Sequence, residues 1–324
     1  MNFEHNGHKI ALLGDTHLGR VFTNNVPLAR RGEREKSLME KFKHELQSVS
    51  EDVDYHIHMG DLFDLPVVDY SYILTAAMVY LDVSSKRPDT QFYILEGNHD
   101  ASRDLIVTTA FDLFTACVGH QPNITVVRRP LHIPAIKTIL LPWSPLASAQ
   151  DQVETLTQCQ ADLAFGHWDV DPRSHEYNMI PLSRMREKFG VKTAYTGHVH
   201  LPDKFRRDGV DVVVVGSMIP FAHDQDPTGD IYVTLTLAEF VDTDKATLRD
   251  KCVRIELAPG EVFDEQVDCL QLSFKRPQNV VSVEETVDFD AFDMRKLFTD
   301  LVEEYEVPEK IRKQLEDRWL ASGE

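Results

Sequence analysis

The sequence predicts an α/β fold, and two observations carry this prediction. Short apolar runs that end in a polar cluster recur along the chain, and helical patterns lie between them. Strands that alternate with helices indicate an α/β domain. Such domains bind ligands outside the carboxyl ends of their strands. The polar clusters therefore indicate where a functional site would form.

Five apolar runs predict strands, because each is short, contains β-favouring residues and is followed by a glycine. In chain order they are HKIALL before GDTH, DYHIHM before GDLFD, QFYILE before GNHD, ADLAF before GHWD, and KTAYT before GHVH. A further run, DVVVVG, predicts a strand buried in a sheet.

Three helical patterns lie between these strands. The segment EKSLMEKFKHELQSV places Leu38, Met39, Phe42, Leu46 and Val49 along one stripe, as an amphipathic helix does. The segments SYILTAAMVYL and LIVTTAFDLFTAC are the other two predicted helices.

The C-terminal part predicts strands first, at KCVRIEL and LQLSF, and helices last. Pro308 favours the first turn of the final helix. Ile311, Leu315 and Trp319 form an apolar stripe on that helix. The stripe either packs on its own domain or presents a docking face to a partner helix.

Length and composition indicate one large domain and a smaller region. We place the main domain at 1–240, a β-rich capping region at 241–285 and C-terminal helices at 286–324. The four cysteines form no C-x-x-C pair, which favours reduced thiols over disulfides or a zinc ribbon. With no run of ~18 apolar residues and no signal-like N-terminus, we expect a cytoplasmic protein without a membrane span.

The net charge is -19, from 53 acidic and 34 basic residues. Phosphate affinity rests on Lys and Arg, so this balance argues against a protein that coats nucleic acid in general. A local basic path or a metal-centred phosphate site stays possible.

The polar residues that follow the five runs form a mixture of carboxylates, a carboxamide and imidazoles. They are Asp15, His17, Asp61, Asn98, His99, His167, His198 and His200. This mixture suits two divalent ions, most naturally manganese, iron or zinc. One carboxylate can bridge two ions about 3.5–4 Å apart, which is the arrangement for displacement at phosphate. Because residues i and i+2 of an extended chain point the same way, each D-x-H or H-x-H pair can face one cavity.

Each cluster alone is weak, since short motifs occur by chance, but five in one order at strand ends indicate a site. The set D-x-H, G-D-x-x-D, G-N-H-D, G-H and G-H-x-H resembles the calcineurin-like metallophosphoesterase superfamily, from Gly14 to His200. The resemblance implies a sandwich of two mixed β-sheets flanked by helices, followed here by a smaller C-terminal α+β region.

The resemblance also implies roles by position. Asp15, His17, Asp61 and His200 would bind one metal, while Asp61, Asn98, His167 and His198 would bind the second, with Asp61 bridging. His99 would stabilise or protonate the leaving oxygen, and the Asp64 carboxylate would orient His99. A hydroxide activated by the two metals would attack phosphorus in line with the leaving group. Manganese is the favoured ion, with magnesium, iron or zinc as alternatives.

The closer resemblance is to the SbcD-type nuclease subunits of DNA double-strand-break repair, and most closely to the phage recombination endonuclease subunits. It rests on GDTHLGR, GDLFD, GNHD, LLPW, FGHWD, YTGHVH and VVVGSMIPFAHDQDPTGDIYV. The Arg-Gly that protein Ser/Thr phosphatases carry after the second motif is absent from GDLFDLP. The implied activity is that of a manganese-dependent endonuclease and 3'-5' exonuclease in DNA recombination and repair, in the bacterial host cytoplasm if the protein is from a phage.

Such nucleases act as homodimers with an SMC-like coiled-coil ATPase, so the stripe Ile311, Leu315 and Trp319 would be the partner face. Candidate contacts to the DNA backbone are Arg20, Arg103, Lys204, Arg206 and Arg207, with Arg30, Arg31 and Arg34 as further candidates. Trp168 could stack on a base or pack under the site, and we expect structural roles for His56 and His58.

Two other functions stay open on the sequence alone. A phosphodiesterase or phosphatase for small molecules or cyclic nucleotides would use the same metal residues. A non-catalytic scaffold for the ATPase would keep the fold, although scaffolds usually lose ligands and no expected ligand is missing here.

Overall fold

The computed structural model describes residues 1–104, 106–171, 176–276 and 312–313, and of Glu176 only the backbone. The chain divides into two compact units, Met1–Arg276 and Pro277–Glu324. The predicted stripe of Ile311, Leu315 and Trp319 lies outside the described residues. No helix within the described ranges is long and apolar enough to cross a membrane.

The first unit contains α-helices and strands in alternation, as the sequence predicts. The helices are α1 (Glu33–Gln47), α2 (Tyr70–Lys86), α3 (Ala110–Val118), α4 (Ala149–Thr155), α5 (Leu182–Phe189) and α6 (Leu237–Asp242). The strands are β1 (Asn2–His5), β2 (His8–Leu13), β3 (Tyr55–His58), β4 (Gln91–Leu95), β5 (Ile124–Val127), β6 (Leu131–Ile133), β7 (Thr138–Leu141), β8 (Leu163–Gly166), β9 (Thr193–Thr196), β10 (Asp203–Arg207), β11 (Val210–Val214), β12 (Tyr232–Thr236), β13 (Cys252–Glu256) and β14 (Gln271–Lys275).

Two mixed sheets build the main body. The first has the order β1-β2-β3-β4-β5, in which only the β1–β2 pair is antiparallel. The second has the order β10-β11-β9-β8-β7-β6, with an antiparallel pair at each edge and parallel pairs between. A third sheet, β12-β13-β14, is parallel.

The two large sheets pack face to face, because their apolar side chains share one buried cluster. Ile10 and Ile57 of the first sheet belong to it together with Leu140 and Phe165 of the second. The outer face of the first sheet is covered by α1, α2 and α3, and that of the second by α4 and α5. The predicted α/β class, with two mixed sheets flanked by helices, is therefore confirmed.

The predicted helix stripe of α1 is buried as expected, with Leu38, Phe42 and Leu46 in the core. The third predicted helix begins later than its pattern indicates, at Ala110 instead of within LIVTT. The reason is a capping box, in which Thr109 and Asp112 bond each other's backbone N–H groups. Such a cap satisfies the free donors of a first helical turn and fixes where it starts.

Two arginines tie the third sheet to the main body and are not free at the surface. The Arg30 side chain is only 8% exposed and pairs with Glu33, Asp250 and Asp268. Arg34 is buried, bonds Tyr232 and Gln271, and stacks on Phe22. Neither side chain can serve as the surface DNA contact that the sequence suggested. The predicted boundary at residue 240 falls within α6 and stays a prediction.

Asp226 closes the turn that leads from the second sheet into β12. Its carboxylate accepts hydrogen bonds from the backbone N–H groups of Gly229, Asp230, Ile231 and Tyr232, at 2.7 to 3.3 Å. Burial alone would raise the pKa of Asp226, but these N–H groups lower it to about 2. The turn therefore depends on an ionised carboxylate.

We expect Asp226→Ala to lower the free energy of unfolding by about 3 kcal/mol, because it leaves several buried donors unpaired. Because the folded pKa lies below the unfolded one, this contribution is present at neutral pH and is lost as the pH falls through about 2. Urea unfolding at pH 7 measures it, with the exposed neighbour Asp224→Ala as the control. Equal stability of the two variants would contradict the role of Asp226.

Candidate metal centre

The predicted site residues all follow strands whose carboxyl ends point to one edge of the two sheets. Asp15 and His17 follow β2, and Asp61 follows β3. In the second sheet, the residues after β8 and β9 supply the histidines. The first two loops are bonded to each other, since the N–H groups of Thr16 and His17 both donate to the Asp61 carbonyl. One cavity therefore collects side chains from both sheets.

Several of these residues have an unusual backbone. His17, Asp61 and His198 adopt the left-handed conformation, with φ of 47°, 50° and 71°. Gly60 has φ +110°, and a Cβ there would lie 2.4 Å from Nδ1 of His167. Non-glycine residues rarely adopt positive φ, and such conformations gather at functional sites. The turns at the strand ends thus direct these side chains toward one another, and the positive φ angles make the backbone conformation less favourable there.

The first donor group consists of Asp15, His17 and His200, whose ligand atoms lie within 4.8 Å of one another. Nε2 of His17 lies 3.0 Å from Nε2 of His200. Nε2 of His200 lies 3.7 Å from Oδ2 of Asp15. The two imidazole nitrogens thus face each other next to the Asp15 carboxylate, as the donors of one metal ion would.

The second donor group consists of Asp61, His167 and His198, to which Asn98 adds an amide oxygen. Oδ1 of Asn98 lies 2.9 Å from Nε2 of His167 and 2.8 Å from Nδ1 of His198. Oδ2 of Asp61 lies 3.2 Å from Nε2 of His167. These four side chains converge on a second point.

Asp61 lies between the two groups. Its Oδ2 is 3.7 Å from Nε2 of His17 in the first group as well as 3.2 Å from His167 in the second. Its Oδ1 accepts a hydrogen bond of 2.9 Å from the His99 backbone N–H. From this position the carboxylate could serve both groups, and its bridging role stays a prediction.

The chemistry of the donors fits two divalent cations. Asp15 is fully buried, and neither of its carboxylate oxygens has a hydrogen bond of ordinary geometry. Burial strongly raises the pKa of Asp15, against the lowering effect of the His167 charge. A buried carboxylate without donors is costly unless a cation neutralises it. Imidazole and carboxylate donors together suit manganese, iron or zinc.

Each ligand imidazole has a neighbour at its other ring nitrogen. Nδ1 of His167 donates to the Met59 carbonyl at 3.0 Å, and Nδ1 of His200 lies 3.3 Å from Oε1 of Gln225. Oδ1 of Asp64 lies 3.2 Å from Nδ1 of His17. Oδ2 of Asp169 lies 4.0 Å from Nε2 of His198. The hydrogen bonds of His167 and His200 fix the orientation of these two rings, while Asp64 and Asp169 are acidic neighbours of the other two.

Sequence reasoning missed Gln225 and Met59 as parts of the site. Gln225 lies in a turn after the second sheet, and its amide oxygen also accepts from the Phe221 N–H at 3.0 Å. Met59 acts only through its backbone carbonyl, so its side-chain type carries no signal. No spacing rule could have assigned either residue.

His99 stands beside the first donor group, with its ring centroid 4.8 Å from that of His17. Its Nδ1 donates to the backbone carbonyl of Asp64 at 2.6 Å. The sequence assigned this orienting role to the Asp64 carboxylate, which stays a prediction. That carboxylate contacts His17 and Arg20, and it also lies within 4.8 Å of a ring nitrogen of His99. Because a carbonyl only accepts, the proton is on Nδ1 and Nε2 remains for proton transfer.

Asp100 stabilises the turn of GNHD. Its buried carboxylate accepts from the N–H groups of Leu62, Phe63 and Gly97 at 2.8 to 3.1 Å. Burial and the nearby Asp61 charge raise the pKa of Asp100 to about 7. It joins the second and third motif loops and presents nothing to the cavity.

Three further residues named from the sequence have packing roles. Trp168 is 1% exposed and lies in the core under the second sheet, so it offers no surface for a base. His58 is buried and hydrogen-bonds Thr16, and burial lowers its pKa to about 3. His56 is also buried, beside Phe92.

The candidate DNA contacts are spread over the surface. Arg20 lies next to the first donor group through Asp64. Lys204, Arg206 and Arg207 lie on β10, the edge strand of the second sheet. Arg206 is paired there with Asp211, and Arg207 stacks on Phe205. Arg31 and Arg103 are exposed. Only Arg20 is connected to the donor groups by a described contact.

Metal affinity is expected to rise about tenfold per pH unit between pH 6 and 8. Burial alone would lower the pKa of His167, but the charges of Asp61 and Asp15 raise it to about 9. A metal must then displace the His167 proton, whereas His198 and His200, with pKa lowered to about 4 chiefly by burial, are already neutral. Calorimetric titration with Mn²⁺ in buffers of different ionisation enthalpy counts the proton. Affinity independent of pH would contradict this assignment.

Comparison with known proteins finds one matching family model and several solved structures with a similar fold. The family model for calcineurin-like phosphoesterases matches residues 8–202. No protein of curated function matches the chain in sequence. Phosphopantetheinyl hydrolase from Mycobacterium tuberculosis is similar at 12% identity and TM-score 0.40, over 64% of this chain and 89% of that one. The protein TT1561 of Thermus thermophilus is similar at 10% identity and TM-score 0.41, over the same shares of 64% and 89%.

Proposed function

This chain belongs to the calcineurin-like phosphoesterase family, and on that premise we propose that it is an SbcD-type DNA nuclease. Membership implies metal-dependent phosphoester hydrolysis at the two donor groups. Within that chemistry we assign DNA phosphodiesters as substrate and manganese as the working ion. The proposed activity combines endonuclease and 3'-5' exonuclease cleavage in recombination and repair, in the cytoplasm.

The completeness of the donor set carries this proposal. Every side chain expected to bind a metal belongs to one of the two donor groups or, like Asn98, contacts one directly, and the His99 ring lies beside that of His17. A scaffold that only docks a partner would not need a buried, unpaired Asp15. The observation therefore favours an enzyme over a scaffold.

The donor residues and His99 divide the work of hydrolysis. Asp15, His17, His200 and Asp61 would hold one ion, and Asp61 with Asn98, His167 and His198 the other. When bound, the two ions supply Lewis-acid polarisation of the phosphate and activation of water. As an imidazolium, His99 would give its Nε2 proton to the leaving oxygen and become neutral, while its Nδ1–H stays on the Asp64 carbonyl, which holds the ring.

The choice of DNA rests on sequence details beyond the metal residues. The segments FGHWD, YTGHVH and GSMIPFAHDQDPTGDIYV support a nuclease, and the absence of Arg-Gly after GDLFD speaks against a protein phosphatase. In the structure the last of these segments supplies Gln225 to His200 and Asp226 to the following turn. Its resemblance to the nuclease subunits thus falls on residues that shape the site.

Cleavage assays test the proposal. The full chain with Mn²⁺ is offered linear duplex DNA, single-stranded DNA and cyclic nucleotides, with and without a coiled-coil ATPase recovered by pull-down. We expect DNA cleavage that EDTA abolishes. Turnover of cyclic nucleotides without any DNA cut, partner included, would show a small-molecule phosphodiesterase instead.

We also propose an SMC-like coiled-coil ATPase as partner. The expected docking residues Ile311, Leu315 and Trp319 lie outside the described residues, so the support is the resemblance and the apolar spacing. Pull-down with Leu315→Asp should lose the ATPase, while cleavage of short single strands by the isolated chain persists. Undiminished capture would place the docking face elsewhere.

A homodimer is the further proposed assembly, and an apolar face on α2 supports it. Tyr70, Leu74 and Met78 follow one another at intervals of four and are 72%, 55% and 69% exposed. Residues so spaced share one helix face, and contiguous exposed apolar patches mark interfaces. Leu74→Asp is expected to convert a dimer to a monomer in light scattering. Leu146→Asp, at an exposed leucine away from α2, is the control, and a dimer in both variants would exclude this face.

A further inference from the structure

We propose that Arg20 binds a second phosphate of the substrate, one that neighbours the scissile phosphate in a polynucleotide. The observation is a guanidinium held against the outer side of the first donor group, with most of its N–H donors unused. This inference rests on the proposed function, because it makes the site selective for a chain of phosphates over an isolated phosphoester.

The position of Arg20 is fixed by one ion pair and two rings. A terminal nitrogen of its guanidinium donates to Oδ1 of Asp64 at 3.1 Å. The guanidinium carbon lies 4.8 Å from the ring centroid of Phe221 and 5.9 Å from that of Phe22. An arginine that stacks on aromatic rings keeps its planar edge available for hydrogen bonds.

The same two neighbours connect Arg20 to the metal residues. Oδ1 of Asp64, which receives the guanidinium, is also 3.2 Å from Nδ1 of His17. The Phe221 ring lies 5.1 Å from the His17 ring and 5.4 Å from the His200 ring. The guanidinium is therefore separated from the ligand nitrogens of the first group by little more than one imidazole ring.

Arg20 has donors to spare and access to solvent. Its side chain is 33% exposed. A guanidinium has five N–H donors, and among the described residues its only hydrogen bond goes to Asp64. A phosphate can take two further N–H groups in the bidentate manner that arginine favours. Asp64 would hold the side chain in place while the phosphate binds to its free edge.

Arg20 is a positive charge in negatively charged surroundings, which would otherwise repel a polyanionic substrate. The cavity gathers the carboxylates of Asp15, Asp61 and Asp64, and the whole chain carries -19. Arg30 and Arg34 are paired with other residues inside the protein. The basic residues of β10 lie on the edge strand of the second sheet, and no described contact connects them to the donor groups. Among the candidate DNA-binding cations, Arg20 is the one that contacts the site, through its ion pair with Asp64 beside His17. It would thus align a polyanion whose scissile phosphate occupies the cavity.

The test compares two substrates in three variants. Arg20→Ala, Arg20→Lys and the control Arg184→Gln, an exposed arginine paired with Glu154, are loaded with Mn²⁺. Each is assayed on a single-stranded oligonucleotide and on bis(p-nitrophenyl) phosphate, which has no second phosphate. Bound manganese is counted by mass spectrometry, and oligonucleotide affinity is measured against salt in a His99→Ala background.

For Arg20→Ala we expect the ratio of kcat/KM on the oligonucleotide to that on the small diester to fall roughly tenfold, mostly through KM. The slope of log affinity against log salt should fall by about 1. Manganese content should equal that of Arg184→Gln, and Arg20→Lys should restore part of the ratio.

Three results would overturn the inference. Equal losses on both substrates, or loss of manganese, would make Arg20 a support for His17 through Asp64 instead of a phosphate contact. An unchanged ratio in Arg20→Ala, with wild-type protein cutting DNA, would refute the contact and leave the proposed function standing. Wild-type protein that hydrolyses the small diester but no DNA would refute both.

Discussion

His99→Ala is expected to lower kcat for DNA cleavage by about 10²–10⁴-fold while the protein still binds two manganese ions. The reason is the separation of roles around the cavity. The Nδ1–H of His99 is bonded to the Asp64 carbonyl, and its ring lies beside that of His17 in the first donor group. Its backbone N–H, which holds Asp61, is retained in alanine.

Single-turnover cleavage measures the expected loss of rate, and metal analysis measures whether two manganese ions are still bound. The exposed His120→Ala serves as the matched control, since it removes an imidazole far from any motif. Substrates with a good leaving group, such as p-nitrophenolate, need less protonation and should be affected less. Cleavage at the wild-type rate would remove His99 from the mechanism, and loss of metal would make it a ligand.

Asp61→Asn is expected to reduce bound metal from two ions to one or none, and to lower activity roughly a thousandfold. Oδ2 of Asp61 faces His17 and His167 from opposite groups, so this one charge serves both ions. Asparagine tolerates the left-handed backbone of this position, at φ 50°. Its amide oxygen can still accept from the His99 N–H.

The fold should therefore survive while the metal pair is lost. Asp69→Asn is the control, because Asp69 caps α2 and asparagine caps a helix as well as aspartate does. Metal analysis measures the loss of bound ions, and thermal unfolding of the metal-free proteins shows whether the fold is retained. Two ions bound by Asp61→Asn with wild-type affinity would show that Asp61 does not bridge.

Local sequence predicted the strands and the edge of the fold where the site lies. The segments HKIALL and QFYILE form β2 and β4, and the bounds of the strands agree with the predicted ones within one residue. A short apolar run that ends before a glycine is typical of a buried strand. Since parallel strands end at one edge, the motif residues had to meet there. Short strands such as β1 and β6 carry too weak a pattern to be predicted.

Side-chain direction could not be read from the sequence. The Asp64 carboxylate was expected to hydrogen-bond His99. In the structure it contacts His17 and Arg20, and the hydrogen bond to His99 comes from the Asp64 backbone carbonyl. The difference depends on the turn of GDLFD, whose backbone is held by Asp100 and by the neighbouring GDTH loop. Arg30 and Arg34 likewise look like free cations until the third sheet covers them.

The α/β class, the order of the motifs and the set of candidate donors follow from the sequence alone, because these depend on residue type and on the periodicity of a few neighbouring residues. The directions of the side chains required the three-dimensional structure, which shows the contacts of Gln225 with His200 and of Met59 with His167, and the carbonyl partner of Nδ1 of His99. Those features depend on contacts between residues far apart in the chain. Packing between two sheets sets their geometry, and no local pattern records it.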